Sequence, residues 1–277
     1  VTAARRLGAL GLALVCWHGA GMAASPDDLD DLVRARLVAE GAAKPGGTVW
    51  LALHLAMKPG WHTYWRNPGD AGQATEIEWK LPKGFAAGDI VWPVPLAIPA
   101  GIGVSYGYEG EAALLVPVAV PAAAKAGSVE LRAEANWLVC KDICLPGEAV
   151  LSAALRVGAG KADPKAAELF RRARAALPQE LKAPAQARAG ESAIALELPA
   201  EALKGMAAPG AVFMPYDGTL IDHAAPQTLE GATLTLKRGP VQGKPPAETA
   251  GLLVVEDGQT GAKRAYGLAV KIRAEAE

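Results

Sequence analysis

Residues 135–149 read ANWLVCKDICLPGEA and hold Cys140 and Cys144; the only other cysteine of the 277-residue chain is Cys16. Two thiols with three residues between them can close a small disulfide if the chain turns back, since the bond needs Cα atoms roughly 4.4–6.8 Å apart. Three chemistries fit the spacing: a static bridge, an exchanging disulfide and a soft-metal site. A static bridge across so short a loop constrains the unfolded chain less than a long one does, in the chain-entropy account. A bond that stabilises little and lies in an accessible connection suits opening and closing. Tetrahedral zinc and copper(I) sites normally recruit more sulfur or imidazole than this pair has nearby. Pro146-Gly147 and an alternating stretch follow the second cysteine, so no helix N-terminus is expected to lower a thiol pKa. Lys141 favours a thiolate and Asp142 opposes it. Spacing alone leaves the static and the exchanging bridge open. An exchanging pair of this kind would act as an electron relay, attacked by a partner's better nucleophile.

The elements around the pair are strands. Val49, Leu51, Leu53, Leu55 and Met57 alternate with Trp50, Ala52, His54 and Ala56, the pattern of a half-buried strand. Ile77-Trp79-Leu81, Leu114 to Val120, Val129 to Trp137 and Ala149 to Val157 repeat it. Pro59-Gly60, Asn67-Pro68-Gly69, Pro93, Pro95, Pro99, Gly107, Gly110 and Pro121 punctuate these runs. Asp27–Val38 reads as a polar helical turn or a lead-in to a strand. Many short strands with Gly/Pro turns predict a β-sandwich. Cys140 then follows a strand ending near Trp137, and Cys144 precedes the next. Asp163 and Pro164 suit the N-cap and first position of a helix that carries Phe170, Ala173 and Leu177 on one face and stops at Pro178. Beyond it, Ser192–Leu198, Val212–Pro215, Ala232–Leu236, Gly251–Val255 and Arg264–Ile272 resume the strand style. The expected architecture is all-β: two tandem β-sandwich domains, 24–160 and 185–277, joined by a short helical linker, 161–184.

The N-terminus reads as a secretory leader, residues 1–23. Arg5 and Arg6 precede an apolar run, Leu7 to Trp17, too short for a lasting membrane span, and Gly21-Met22-Ala23 fits a signal-peptidase site. Cys16 lies inside it. The formal charge of −1 becomes more negative when Arg5 and Arg6 leave with the leader. No basic stripe points to nucleic acid, and no later stretch is apolar enough to span a membrane. Export places the pair where disulfides persist.

NWLVCKDICLPGEA, with GYEGEAALLVPV and WHTYWRNPGDAG upstream, resembles the periplasmic N-terminal domain of the DsbD family of disulfide reductases, and more closely the two-domain periplasmic region of ScsB-type proteins. Residues 45–157 match the redox domain, and VFMPYDGTLIDHAAPQ looks like the start of a second one. The resemblance implies immunoglobulin-like folds and a redox-active disulfide, Cys140–Cys144, with no organic cofactor. It implies a periplasmic protein that relays electrons between thioredoxin-like domains and substrate proteins. Cys144 would bond the partner and Cys140 would resolve. A cap loop near Gly103–Gly110 would shield the pair through Tyr106 or Tyr108. Full-length members also carry a transmembrane electron-transfer domain and a thioredoxin-like domain; residues 1–277 show neither, so a separate membrane reductase or thioredoxin-like donor is expected. The rivals are a non-catalytic interaction module with a structural disulfide and a copper(I)-binding copper-tolerance accessory.

The run Trp61-His62-Thr63-Tyr64-Trp65 is expected as packing, with Trp61 and Trp137 as candidates for a dry docking surface. His62 could tune the pair. His54 is expected as a satisfied or solvent-facing histidine, Met57, Met206 and Met214 as packing, Glu109 and Glu111 as solvated charges or an acidic rim, and Arg171, Arg172 and Arg174 as the outer face of the helix.

Overall fold

The computed structural model describes residues 32–101, 103–161, 163–181, 184–239 and 245–274. The expected leader, residues 1–23, and the start of the Asp27–Val38 segment lie outside them. The first half runs β1 (Val33–Ala39), β2 (Thr48–Met57), β3 (His62–Gly69), β4 (Glu76–Lys80), β5 (Ala86–Ala87), β6 (Leu96–Ala100), β7 (Gly103–Glu109), β8 (Glu111–Ala119), β9 (Gly127–Cys140) and β10 (Cys144–Val157). These strands form two sheets, β1-β2-β8-β5 and β10-β9-β3-β7-β6, with β4 also on β9. The inward residues that the alternation picked out fill the space between them. Leu53, Leu55, Leu114, Ala135, Trp137 and Val139 pack at the disulfide end; Leu51, Val118, Leu131, Leu155 and Val157 pack at the other. The described residues are all-β apart from short helices.

Helix α1 (Pro164–Ala175) starts as its sequence dictates: the Asp163 side chain accepts from the Lys165 amide, and Pro164 fills the first turn. It does more than link. Leu169, Phe170 and Ala173 lie on the outer face of the four-stranded sheet, against Ala52 and Leu115. The face of β2 opposite Leu53 is therefore also buried: Ala52 is 0% and His54 4% exposed. Two of the helix arginines face the sheet, Arg174 paired with Glu40 and Arg172 with Glu111, which also lies 3.5 Å from His54 Nε2. Glu111 is thus a paired charge. Strand alternation alone could not foresee this, because the covering element lies over a hundred positions along the chain from β2.

The second half runs β11 (Gln179–Glu180), β12 (Ala185–Ala189), β13 (Ala193–Glu197), α2 (Ala200–Leu203), β14 (Gly210–Pro215), β15 (Thr228–Glu230), β16 (Thr233–Lys237), β17 (Glu248–Glu256) and β18 (Lys263–Ala274). The expected strands are present, and β11, β12 and β15 add to them. They join one eight-stranded sheet, β14-β17-β18-β12-β13-β16-β15 with β11 on β18, rather than separating into two. Its own core gathers Phe213, Leu253, Ile194, Leu196, Leu234 and Leu268. Met214 and Leu252 face the other way and join the core at the disulfide end of the first half.

Candidate functional site

β9 and β10 form a long hairpin paired from Gly127↔Val157 to Cys140↔Cys144. Its turn is Lys141-Asp142-Ile143, closed by the Lys141 amide donating to the Ile143 carbonyl at 3.1 Å. Cys140 and Cys144 are thus cross-strand neighbours, with Cα atoms 4.1 Å apart and an S–S bond of 2.02 Å. Cys140 is only 2% exposed. Cys144, on the outer strand, is exposed.

The inner strand on the other side is β3, where His62 pairs with Cys140. Paired residues share a sheet face, and so do residues two apart on one strand. His62 and Tyr64 therefore stand on the disulfide's face. The Tyr64 hydroxyl lies 3.7 Å from Cys144 Sγ and 3.3 Å from His62 Nε2. A disulfide sulfur has no proton, so Tyr64 is the donor toward it. The tautomer consistent with this has His62 Nε2–H donating to Tyr64 Oη. Burial pushes the His62 imidazole below its ordinary pKa, against the opposing pull of Glu109, and burial raises the Tyr64 phenol. Near neutral pH the pair is a neutral imidazole and a protonated phenol, two aligned donors ending at Cys144. Such an arrangement stabilises a thiolate on that sulfur whenever Cys144 is released from a disulfide.

A loop after β3 closes over this face. Gly72 lies so near Tyr64 that a Cβ there would sit 2.1 Å from Cε1 of the ring, with φ at +110°. The loop is pinned to β7: Asp70 Oδ2 accepts from the Val104 amide at 2.8 Å, and Ser105 Oγ donates to the Ala71 carbonyl at 3.0 Å.

The other expected residues fall elsewhere. The stretch near Gly103–Gly110, expected as a cap loop, is strand β7 up to Glu109, held between β3 and β6. Tyr64 pairs with Gly107, so Tyr106 and Tyr108 point to the opposite face of the sheet from the disulfide. Both are buried in the core at that end. The Tyr108 hydroxyl donates to the Pro93 carbonyl at 2.9 Å, and that of Tyr106 meets His223 Nδ1 at 3.2 Å. Trp137 is core-facing, lying across Gly147 with its indole nitrogen buried and unpartnered among the described residues. Trp61 is half-buried at the turn before β3 and packs on the same core. Of the expected residues, the structure brings His62 alone to the cysteines. Sequence reasoning missed Tyr64 and Gly72; the signal was there in the His62–Tyr64 spacing, two apart on one strand face. Among the described residues, no group of three or more His, Cys, Asp and Glu side chains could hold a metal ion.

Residues 34–155 match the family model described as "Thiol:disulfide interchange protein DsbD, N-terminal". The matched stretch contains both cysteines and all of the first two sheets but a single residue of β1 and two of β10. The whole chain is similar to the crystal structure of the N-terminal periplasmic domain of ScsB from Proteus mirabilis, at 20% identity and a TM-score of 0.64, over 91% of this chain and 97% of that one. This likeness shows that the fold extends through the second half. Two further solved structures, titin domains Z1Z2 in complex with telethonin (14% identity, TM-score 0.20, 88% of this chain and 96% of that one) and a protein of unknown function from Porphyromonas gingivalis W83 (11%, 0.26, 86% and 99%), are too distant in shape to bear on the site. No curated protein matches the chain. The family match together with the Cys140–Cys144 disulfide inside it supports a thiol–disulfide interchange module. No helix among the described residues is long and apolar enough to cross a membrane.

Proposed function

We propose that Cys140–Cys144 is a redox-active disulfide in a periplasmic protein that relays electrons between thioredoxin-like partners and substrate proteins. One observation carries this reading: the two sulfurs are unequal, Cys144 exposed on the outer strand and Cys140 buried on the inner one. A partner thiolate attacks Cys144 Sγ. The new S–S bond forms, the Cys140–Cys144 bond breaks, and its electron pair leaves on Cys140 as a thiolate. A second partner thiol then attacks the partner's own sulfur, releasing Cys144 as a thiolate. The partner ends as a disulfide and the Cys140/Cys144 pair as a dithiol; the reverse sequence reduces a substrate. Tyr64 and His62 face the sulfur that becomes the leaving group in the second step.

The second half acts as a positioning domain in this reading. Asn67 on β3 donates to the Pro215 carbonyl at 2.7 Å, the Trp65 and Tyr216 rings meet edge-on at 5.6 Å, and Arg66 stacks over Tyr216. These residues directly follow Tyr64, so the contact braces the strand that serves the disulfide.

A purely structural bridge is less well supported. Closing a five-residue loop is worth about 2 kcal/mol in the chain-entropy account, and the β9–β10 ladder already closes that loop. A redox titration separates the readings. A potential in the range of exchange proteins, about −120 to −270 mV, supports the relay, and one below about −300 mV supports a static bond. Trapping with Cys140→Ala, which leaves Cys144 to hold mixed disulfides, tests which sulfur bonds the partner. Stable adducts with Cys140→Ala but not with Cys144→Ala are expected; the opposite pattern would reverse the assignment.

A further inference from the structure

Cys144 is the first residue of β10, and β10 is the last strand of its sheet. On one side β10 pairs with β9 throughout. On the other, among the described residues it is hydrogen-bonded only at its far end, where the Ala43 amide donates to the Arg156 carbonyl and the Gly158 amide to the Ala43 carbonyl, while β1 packs beside it without pairing. Among the described residues nothing pairs with the outer side between Cys144 and Leu155. Edges of this kind are normally blunted, because their free peptide groups recruit another strand.

The register fixes which peptide groups are free. The Lys141-to-Ile143 hydrogen bond flanks the Cys140–Cys144 pair, making it a non-hydrogen-bonded pair, in keeping with its short Cα separation of 4.1 Å. Alternation then turns the N–H and C=O of Cys144, Glu148 and Val150 outward, together with the C=O of Pro146. Pro146 fits this assignment, since proline sits in a strand without losing a ladder bond only where its nitrogen faces out. The same stretch exposes apolar side chains, Ile143 at 61% and Val150 at 79%.

We propose that the β10 edge is the docking surface for the exchange partner: a protein whose reacting cysteine lies beside an extended backbone segment, which pairs with Cys144–Val150 as an added strand. This rests on the reading of the disulfide as exchanging. The S–S bond runs from β9 outward to β10, and in-line displacement at Cys144 Sγ needs the incoming sulfur on the side away from Cys140. That side is the open edge. The pairing that holds the partner therefore also aims its thiolate. Atoms balance as in the exchange above: one S–S bond forms at Cys144 as the intramolecular one breaks, with the electron pair leaving on Cys140.

The probes are thioredoxin with its resolving cysteine replaced by serine, as the protein thiol, and glutathione, as a thiol too small to add a strand. Each is joined to Cys144 in the Cys140→Ala protein, and amide hydrogen exchange is compared with the free protein. The Cys144, Glu148 and Val150 amides are expected to slow about tenfold or more in the thioredoxin adduct and not in the glutathione adduct. Separately, Glu148→Pro removes an outward N–H and no ladder bond. Reduction of the Cys140–Cys144 disulfide by thioredoxin should slow about tenfold in this variant, while reduction by glutathione stays within about twofold. An adduct whose outward amides exchange as in the free protein overturns the docking while leaving the relay intact. Failure of Cys144 to join either thiol overturns the relay and the docking with it. If Glu148→Pro slows glutathione as well, the proline has disturbed the site, and the exchange measurement alone decides.

Discussion

Tyr64→Phe removes one oxygen from the site and leaves the ring that fills the space between His62, Gly72 and the disulfide. The hydroxyl lies 3.7 Å from Cys144 Sγ, long for an O–H···S contact, and Cys144 itself is exposed to water. Hydrogen bonds to charged groups contribute about 1.5–3 kcal/mol; the distance and the exposure bring this one to about 1 kcal/mol. At 1.36 kcal/mol per unit, the Cys144 thiol should rise by about 0.7 pKa units in the variant. Where Cys144 leaves as a thiolate, the same energy slows the step about fivefold. The assay is alkylation of Cys144 by iodoacetamide across pH in the Cys140→Ala background, followed by the rate at which a second thiol resolves a mixed disulfide at Cys144. Attack on the intact disulfide, where Cys140 is the leaving group, should change little. An unchanged Cys144 pKa, or equal slowing of both steps, would refute a role for Tyr64 as a donor to this sulfur.

Other consequences follow from the same geometry. Gly72→Ala places a Cβ within 2.1 Å of the Tyr64 ring at a φ of +110°; it should cost about 1–3 kcal/mol in chemical unfolding and raise the Cys144 pKa much as Tyr64→Phe does. Gly110→Ala, where nothing lies within 4 Å of the added methyl, should show backbone strain alone and leave that pKa unchanged. Burial lowers the folded-state pKa of both His54 and His62 below 6.5, Arg36 adding to the effect at His54. Below pH 6.5 the unfolded chain then binds more protons than the folded one. Stability contributed by these groups is complete above that pH and is lost as pH falls through the folded values. Urea midpoints should therefore drop between pH 7.5 and 5.5, and the drop should shrink in His54→Gln and His62→Gln; a drop of the same size in both variants would assign it to other groups.

Much of the scaffold was legible because its signals are local. The alternation in Val49 to Met57 and in Val129 to Trp137 shows which residues face the core. Asp163-Pro164 marks the start of a helix. The turn between the cysteines shows that they end a hairpin. The site was legible in part. His62 could be singled out as a neighbour of the pair, while Tyr106 and Tyr108, chosen by resemblance to a cap, lie across the sheet from it. A one-residue difference in register decides which face a side chain takes, and no local pattern fixes how β7 aligns with β3.

By itself the sequence determined the chemistry available: two thiols on neighbouring strand ends, able to join with no other cysteine nearby, in an all-β chain whose inward residues repeat every second position. Only the tertiary structure decided what surrounds those thiols. The single pairing of His62 with Cys140 joins segments 78 positions apart, and it brings Tyr64 to Cys144. The sheet order leaves Cys144 on the open edge and Cys140 inside. Covalent spacing and side-chain periodicity are properties of neighbours along the chain. Exposure, strand order and the donors around a sulfur come from contacts between distant segments, whose closure is driven by burial of a shared core rather than by any local preference.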